Sequence, residues 1–271
     1  MNLNLKKELK GTVILSKEGI NGSVCSDIEF ISKFINLISK NISSEIIKNI
    51  NFSNSSPFPK FKVKIKNEIV KLGLNSEVYK KKGKYIQPYD WDAFCSKKNT
   101  IILDIRNGFE SEIGHFNNSI LPNIKNFSEF PCWAKKNWDI IRNKKVLTYC
   151  TGGIRCEKAS SFLISEGALE VYQLKGGILR YFAKNLVNKQ KFTGECFVFD
   201  DRVTVNRKLN KGKYSFCFAC GLPITKNDFL SKNYENGVSC PKCISLTSDK
   251  QKKRFRERKK QISLSKKRKL V

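Results

Sequence analysis

The residues with the clearest chemical potential lie in the run 150–160, CTGGIRCEKAS, which begins with Cys150. The preceding apolar stretch KVLTY predicts a buried strand, and 157–166, closed by the next glycine, predicts a helix. Gly152 and Gly153 let the backbone curl so that loop N–H groups and the helix N-terminus converge on the sulfur. Because such donors lower the pKa of a thiol, the pattern predicts a thiolate or persulfide at Cys150. An inert buried cysteine is the alternative.

The other residues of this loop help to specify its ligand and its reaction. Thr151 and Ile154 complete the loop, and Arg155 is expected to add a positive charge at its rim. Cysteine phosphatases wrap phosphate with Cys-x5-Arg, whereas only four residues separate Cys150 from Arg155, so the shorter cradle suits a sulfur atom better. Cys156 is a candidate second redox thiol, with a packed residue at the start of the helix as the alternative.

A polar signature precedes this loop. The stretch 101–115, IILDIRNGFESEIGH, is an apolar strand followed by Asp-x-Arg, a glutamate and Gly-His. Its polar members are Asp104, Arg106, Glu110 and His115. With the later Gly-Gly of LKGGI at 174–178, this resembles the rhodanese family, in which the signature supports the active cysteine. His115 is the only histidine, so no two-histidine iron site or histidine zinc hydrolase can be built, and a structural role is expected for it.

Longer stretches of the sequence indicate which rhodanese-like proteins the chain resembles. CTGGIRCEKAS, GTVILSKEGINGSV at 11–24, GECFVFDDRV at 194–203 and the terminal cysteine pairs are similar to the rhodanese-like tRNA wobble-uridine hydroxylases over about residues 9–260. The resemblance implies oxygen-dependent hydroxylation of carbon 5 of the wobble uridine in tRNA, with molecular oxygen as co-substrate and Cys150 as the active cysteine. Two alternatives stay open: a sulfurtransferase carrying a persulfide on Cys150, and a non-catalytic zinc- and RNA-binding protein.

Two Cys-x2-Cys pairs near the end of the chain have metal-ligand spacing. They are Cys217, Cys220, Cys240 and Cys243, with nineteen residues between the pairs. This spacing predicts a four-thiolate zinc site, and a site with four protein ligands has no open position, so its role is structural. Unbound or redox-active cysteines are the alternative. Cys196 is a weaker candidate for a second redox thiol.

The charge balance points to a polyanionic partner. The chain has 52 Lys and Arg against 24 Asp and Glu, a net charge of +28, which predicts binding to nucleic acid. Eleven basic residues and one acid lie in 252–271. The candidate phosphate-binding residues are Lys252, Lys253, Arg254, Arg256, Arg258, Lys259 and Lys260. A solvated tail or a localisation-like basic cluster is the alternative.

Several classes are not indicated. The N-terminus lacks an apolar signal region and no apolar run approaches the roughly 20 residues of a membrane span, so the ten cysteines are expected in reducing cytoplasm. Neither a Gly-x-Gly-x-x-Gly fingerprint nor a Walker loop occurs, so no flavin, nicotinamide or nucleotide cofactor is predicted. Beyond tRNA, the sequence identifies no protein partner.

These features predict an α/β protein of four regions. Residues 1–75 form a partial ferredoxin-like (acylphosphatase-like) α+β domain with a hairpin around EGING, a helix over 28–39 and a strand from Phe61. A rhodanese-like domain with a parallel sheet spans 84–188, after a linker over 73–83. A cysteine-rich zinc module over 194–247 and a basic tail over 248–271 follow. The resemblance implies a further, central strand and helix before Gly11. We therefore expect a gap in the first sheet, to be filled by upstream chain, a partner or a rearrangement, or left open in a decayed domain.

Overall fold

The computed structural model describes residues 7–41, 46–53, 55–74, 81–184 and 191–268. The chain divides into two compact units. The first comprises Met1–Asp201 with Val205–Asn210, and the second comprises Arg202–Thr204 with Lys211–Val271. Part of the predicted linker and the residues directly after 184 lie outside the described ranges.

The first unit opens with a three-stranded sheet. Strands β1 (Lys10–Ser16) and β2 (Gly19–Cys25) form the predicted antiparallel hairpin, and helix α1 (Ile28–Ser39) follows it. Strand β3 (Phe61–Ile65) then pairs with β1 in parallel, so the order is β2-β1-β3. The described strands are therefore direct neighbours, and the expected gap is absent among them because β3 takes the free edge of β1.

The core of this sheet is small. Leu9, Val13 and Phe34 are buried together, and the ring of Phe34 meets that of Phe61 edge-on at 6.1 Å. Apolar and basic residues alternate along β3, but Ile65, on the same face as Phe61, is 86% exposed. Packing is thus concentrated at the start of β3, where Phe61 meets Phe34 of α1.

The predicted parallel sheet forms the centre of the first unit. Its order is β4-β9-β8-β5-β7, with every adjacent pair parallel. The strands of this region are β4 (Lys84–Ile86), β5 (Thr100–Asp104), β6 (Gly114–Phe116), β7 (Ser119–Ile120), β8 (Lys145–Tyr149) and β9 (Glu170–Leu174). Apolar side chains that alternate along β5 and β8 supply two buried clusters, such as Val146 to one and Leu147 to the other.

Helices connect these strands in the order expected of an α/β domain. They are α2 (Trp91–Cys95), α3 (Gly108–Ile113), α4 (Phe130–Lys136), α5 (Ile154–Ser165) and α6 (Gly177–Lys184). Short 3-10 turns at Phe127–Glu129 and Trp138–Ile140 flank α4. Helix α5 begins three residues earlier than predicted, since Gly153 at φ +97° redirects the chain directly into Ile154.

Short strands and one long helix complete the chain. They are β10 (Phe192–Gly194), β11 (Cys196–Phe197), β12 (Thr204–Val205), β13 (Ser215–Phe216), β14 (Pro223–Ile224), α7 (Lys226–Phe229) and α8 (Asp249–Arg268). Strand β10 pairs with β6, and β13 pairs with β14, both antiparallel. Among the described helices, none combines the length and the apolar character that a membrane crossing requires.

Candidate active site and metal centre

Cys150 lies directly after β8, at the carboxyl edge of the parallel sheet. The loop that follows turns into α5 through Gly153, whose positive φ favours glycine. The Gly153 N–H donates a hydrogen bond to the Cys150 sulfur, 3.1 Å away. The structure therefore agrees with the prediction from the sequence: the two glycines let the backbone turn so that a backbone N–H reaches the sulfur.

The surroundings of Cys150 favour its thiolate. Burial alone would raise the pKa of the thiol, but a hydrogen bond from the Cys156 side chain, the charge of Arg155 and the first N–H groups of α5 outweigh it. Together they lower the pKa of Cys150 to about 6. At neutral pH the sulfur is therefore mainly the nucleophilic form.

The two neighbouring thiols, those of Cys156 and Cys196, are held in the protonated state. Burial, followed by the hydrogen bond to Cys150, raises the pKa of Cys156 well above its ordinary value. Burial likewise raises the pKa of Cys196 to about 12. Both are buried and protonated, and Cys156 serves as a donor to the Cys150 sulfur. A redox role for Cys156 or Cys196 stays a prediction.

The N-terminus of α6 forms hydrogen bonds with the reactive loop. The N–H groups of Ile178 and Leu179 donate to the carbonyl oxygens of Cys150 and Thr151, at 3.0 and 3.1 Å. A Cβ at Gly177 would lie 2.5 Å from both oxygens, so only glycine permits this approach. The second Gly-Gly pair therefore acts on the reactive loop itself.

Arg155 points inward and makes a buried ion pair. Its two terminal nitrogens meet the two carboxylate oxygens of Glu110 at 2.6 and 2.7 Å. The side chain is 8% exposed, so the charge that was expected at the rim of the loop is buried instead. Thr151 also faces Glu110, with its hydroxyl 3.4 Å from the carboxylate. This geometry holds the Arg155 charge near Cys150, where it favours the thiolate.

A second buried ion pair supports Glu110. Arg106 meets Asp104 through Nε at 2.9 Å and a terminal nitrogen at 2.6 Å, and both side chains are inaccessible to solvent. Arg106 also donates to the carbonyl oxygens of Glu110, within α3, and of Gly114, directly after it. The Asp-x-Arg pair therefore positions the helix that carries Glu110.

His115 stands apart from the reactive loop in its contacts. Its Nδ1 lies 2.9 Å from the Ser111 carbonyl oxygen, and its backbone belongs to β6, opposite Thr193 of β10. Among the described residues, neither a hydrogen bond nor an ion pair joins it to Cys150. The structure thus brings Cys150, Arg155, Cys156 and Glu110 together, and the Asp104–Arg106 pair positions the helix that carries Glu110. His115 instead contributes its backbone to the pairing of β6 with β10.

The segment after β11 supplies aromatic rings that the residue pattern alone did not single out. The Phe199 ring lies 5.9 Å from the Arg155 guanidinium carbon. It meets Phe197 edge-on at 5.0 Å, and Phe197 meets Phe109 of α3 edge-on at 5.1 Å. The FVF triplet in GECFVFDDRV was the available signal, since alternate residues of an extended segment face the same side.

The two Cys-x2-Cys pairs come together as predicted. The sulfur atoms of Cys217, Cys220, Cys240 and Cys243 all lie within 4.8 Å of one another. Two of the separations, Cys220–Cys240 at 3.9 Å and Cys240–Cys243 at 3.7 Å, are too long for disulfides. Thiolates about 2.3 Å from a tetrahedral zinc lie about 3.8 Å apart, so these residues fit such an ion and could bind a metal such as zinc.

The basic residues of α8 divide into two groups. Arg256 forms a two-point ion pair with Glu235, at 2.8 and 2.6 Å. Arg258 donates to the carbonyl oxygens of Phe218, inside the first cysteine pair, and of Gly237, just before the second. These two predicted phosphate-binding residues thus have protein partners. Exposed basic residues remain at Lys253, Arg254, Lys259 and Lys260, while Lys252 is half-buried. RNA binding by the tail stays a prediction.

Comparison with known proteins matches two family models to the chain. Residues 2–69 match the UPF0176 acylphosphatase-like domain, and residues 88–184 match the rhodanese-like domain.

Solved structures with similarity to the chain include other rhodanese-like proteins. A rhodanese-related protein from Thermoplasma volcanium is 28% identical, with a TM-score of 0.31, over 37% of this chain and 92% of its own. A rhodanese-like domain protein from Staphylococcus aureus is 22% identical over 40% of this chain and 99% of its own, with a TM-score of 0.31. A rhodanese-like domain from Anabaena sp. is 17% identical over 41% of this chain and 78% of its own, with a TM-score of 0.34. The chain therefore carries a UPF0176 acylphosphatase-like domain followed by a rhodanese-like domain, a combination consistent with the rhodanese-like UPF0176 family.

Proposed function

We propose that the protein is a tRNA-modifying enzyme that hydroxylates carbon 5 of the wobble uridine, using Cys150 in a rhodanese-type loop. The observation that carries the proposal is the Cys150 thiolate in a chain that joins the UPF0176 acylphosphatase-like domain to a rhodanese-like domain. The substrate is inferred from the similarity of three strings of this sequence, and of its terminal cysteine pairs, to the rhodanese-like tRNA wobble-uridine hydroxylases.

The proposed reaction converts the C5–H bond of uridine into C5–OH. One atom of molecular oxygen enters the base, and the other leaves as water after taking up two electrons and two protons. A thiol reductant supplies the electrons in this proposal. Cys150 performs covalent or redox chemistry at the base, while Arg155 and the Cys156 thiol hold its sulfur as the thiolate.

Transfer RNA suits the charge of this chain. The excess of 28 positive charges attracts a polyanion, and the exposed basic residues of α8 are able to contact phosphates. Wobble bases lie in a single-stranded loop, where a protein can draw a base out of its stack. We therefore assign affinity to the basic surface and chemistry to the rhodanese-like domain.

A sulfurtransferase is the second candidate, favoured by the same thiolate. In that reaction the Cys150 thiolate takes the sulfane sulfur of thiosulfate, releases sulfite and holds a persulfide. A thiolate or cyanide acceptor then removes the sulfur and restores the Cys150 thiolate. The Gly153 N–H at 3.1 Å from the sulfur is suited to stabilise either anion.

Nucleoside mass spectrometry separates the two candidates. Purified protein is incubated with unmodified tRNA and a thiol reductant, in air and without oxygen, and the digested tRNA is examined for 5-hydroxyuridine. We expect the product only in air and only with Cys150 intact. Cys150→Ala should abolish it while leaving the melting temperature close to that of the wild type. Cys132→Ala, at an exposed cysteine of α4, is the matched control and should retain activity.

A parallel assay measures thiocyanate formed from thiosulfate and cyanide. Thiocyanate formation without 5-hydroxyuridine would replace the hydroxylase proposal by the sulfurtransferase. Absence of both products with tRNA binding retained would support the non-catalytic alternative. Both outcomes contradict the proposal.

A further inference from the structure

Phe199 is a large apolar side chain left in solvent beside the reactive loop. Its residue is 67% exposed, although the ring lies 5.9 Å from the buried Arg155 guanidinium that pairs with Glu110. Single exposed apolar residues are ordinary on protein surfaces. This one differs because its ring adjoins the charge that holds Cys150 as a thiolate.

The Phe199 ring also packs against a neighbouring aromatic ring. It stands edge-on against Phe197, which is buried and itself stands edge-on against Phe109. Hydrogen bonds to main-chain atoms anchor the segment on both sides. The Phe197 carbonyl oxygen accepts from the Thr151 hydroxyl at 3.4 Å, and the Asp201 N–H donates to the Pro57 carbonyl oxygen at 3.0 Å. An aromatic ring positioned in this way loses little entropy when a ligand covers it.

A flat, uncharged ring is the ligand that this arrangement suits best. The open side of an aromatic ring binds another π-system by stacking, and proteins that bind single-stranded RNA stack bases on phenylalanine. Phosphate would instead require donors, and Phe199 has none. The nearby guanidinium is already paired with Glu110, so Arg155 is not open to a phosphate group.

We propose that Phe199 is the stacking residue for the nucleobase that Cys150 acts on. It binds the extruded pyrimidine by its face and sets the position of that base over the reactive loop. This inference rests on the proposed function, which supplies RNA as the substrate, and it adds the residue that recognises the base. Phe199 contacts the base without taking part in bond making or breaking.

Binding to matched RNA hairpins tests the stacking contact. Two anticodon stem-loops are compared on the full chain, one with uridine at the wobble position and one with an abasic site there. Base stacking on an aromatic residue contributes about 1–3 kcal/mol, so wild type should bind the uridine hairpin at least about fivefold more tightly. Phe199→Ala should bind both hairpins equally, and Phe199→Leu should lose most of the preference. Phe199→Trp should keep it.

The control is Leu169→Ala, which removes another exposed apolar side chain. Leu169 directly precedes β9, so it lies at the amino edge of the parallel sheet, opposite Cys150. This variant should retain the full preference for uridine. Melting curves of all variants check folding, and Phe199→Trp provides the comparison if Phe199→Ala is unstable.

Retention of the uridine preference by Phe199→Ala, or its absence in wild type, would overturn the stacking proposal. Formation of 5-hydroxyuridine is measured separately, so the two proposals can fail independently. Product formation by wild type together with an unchanged preference in Phe199→Ala would refute the stacking role alone. Loss of the preference in Phe199→Ala, with no product from wild type, would support stacking and refute the hydroxylase.

Discussion

Identical residue types have opposite properties in the reactive loop. Burial raises the pKa of both Cys150 and Cys156, and the charge of Arg155 lowers both, but only Cys150 also accepts hydrogen bonds from the backbone at the start of α5. Cys156 then becomes a donor to its neighbour. The reactive atom is therefore selected by the direction of nearby donors rather than by the residue type.

The first prediction concerns the ionisation of Cys150. Its alkylation rate by iodoacetamide should rise with pH and reach half its maximum near pH 6, because the thiolate predominates above the lowered pKa. Cys156→Ala removes a donor and should move this midpoint upward, whereas Cys156→Ser keeps a hydroxyl donor and should move it less. Mass spectrometry of the labelled peptide gives the rates. A wild-type midpoint near the free-thiol value of about 8.5 would contradict the prediction.

At the scale of elements, α5 connects the reactive loop to the acylphosphatase-like region. Lys158 of α5 reaches Glu18, in the turn between β1 and β2, and Glu68, just after β3, at 2.6 Å each. The lysine side chain is 10% exposed. The two carboxylates also accept backbone N–H groups of Ile69 and Leu72, so this ion-pair cluster orders the chain between the regions.

Removing the lysine should weaken this connection. Lys158→Met leaves two carboxylates close together without their cation, and we expect a loss of about 1–2 kcal/mol in the free energy of unfolding, reduced from a fully buried pair by partial exposure. Urea denaturation measures it. The control, Lys33→Met, breaks an exposed pair with Glu29 within α1 and should change little. Equal effects of both substitutions would argue against a structural role for the cluster.

In helix α8, some basic residues bond to other parts of the protein, and others are exposed. Changing Lys253, Arg254 and Lys260 together to Gln should reduce the slope of log affinity for tRNA against log salt by about 2, since each phosphate contact contributes roughly 0.7–0.9. Arg256→Gln should instead loosen the helix, because it breaks the pair with Glu235. Binding titrations and hydrogen exchange distinguish the two effects. An unchanged slope in the triple variant would assign these side chains to solvent.

At the scale of the whole molecule, the two units obtain stability by different means. The first has two apolar clusters on the faces of a five-stranded sheet, whereas the buried cluster around the four cysteines adds only Ile224 to three of them. A region with so small an apolar core usually needs a metal or disulfides. The close approach of four thiols that form no disulfide favours a metal.

We therefore predict one zinc ion per chain, bound by Cys217, Cys220, Cys240 and Cys243. A strong chelator should unfold 216–245 while the rhodanese-like region stays folded, because metal binding there supplies folding free energy. Elemental analysis and hydrogen exchange test this. Cys240→Ser should lose zinc, and Cys132→Ser, outside the cluster, should retain it. A zinc content well below one per wild-type chain would refute the prediction.

Local patterns determined much of this protein. Short apolar runs predicted the main strands, the glycines predicted the turn into α5, and the Cys-x2-Cys pairs predicted the four-sulfur cluster, because each depends on residues close in sequence or on a fixed ligand geometry. Only the tertiary structure determined which charged side chains form ion pairs with one another. Glu110 with Arg155, Lys158 with Glu18 and Glu68, and Arg256 with Glu235 each join distant segments. Such pairings depend on strand order and on the direction in which each helix faces, and local periodicity carries neither. For the same reason Arg155, expected at the rim, is buried against Glu110, and the Phe199 ring lies near its guanidinium.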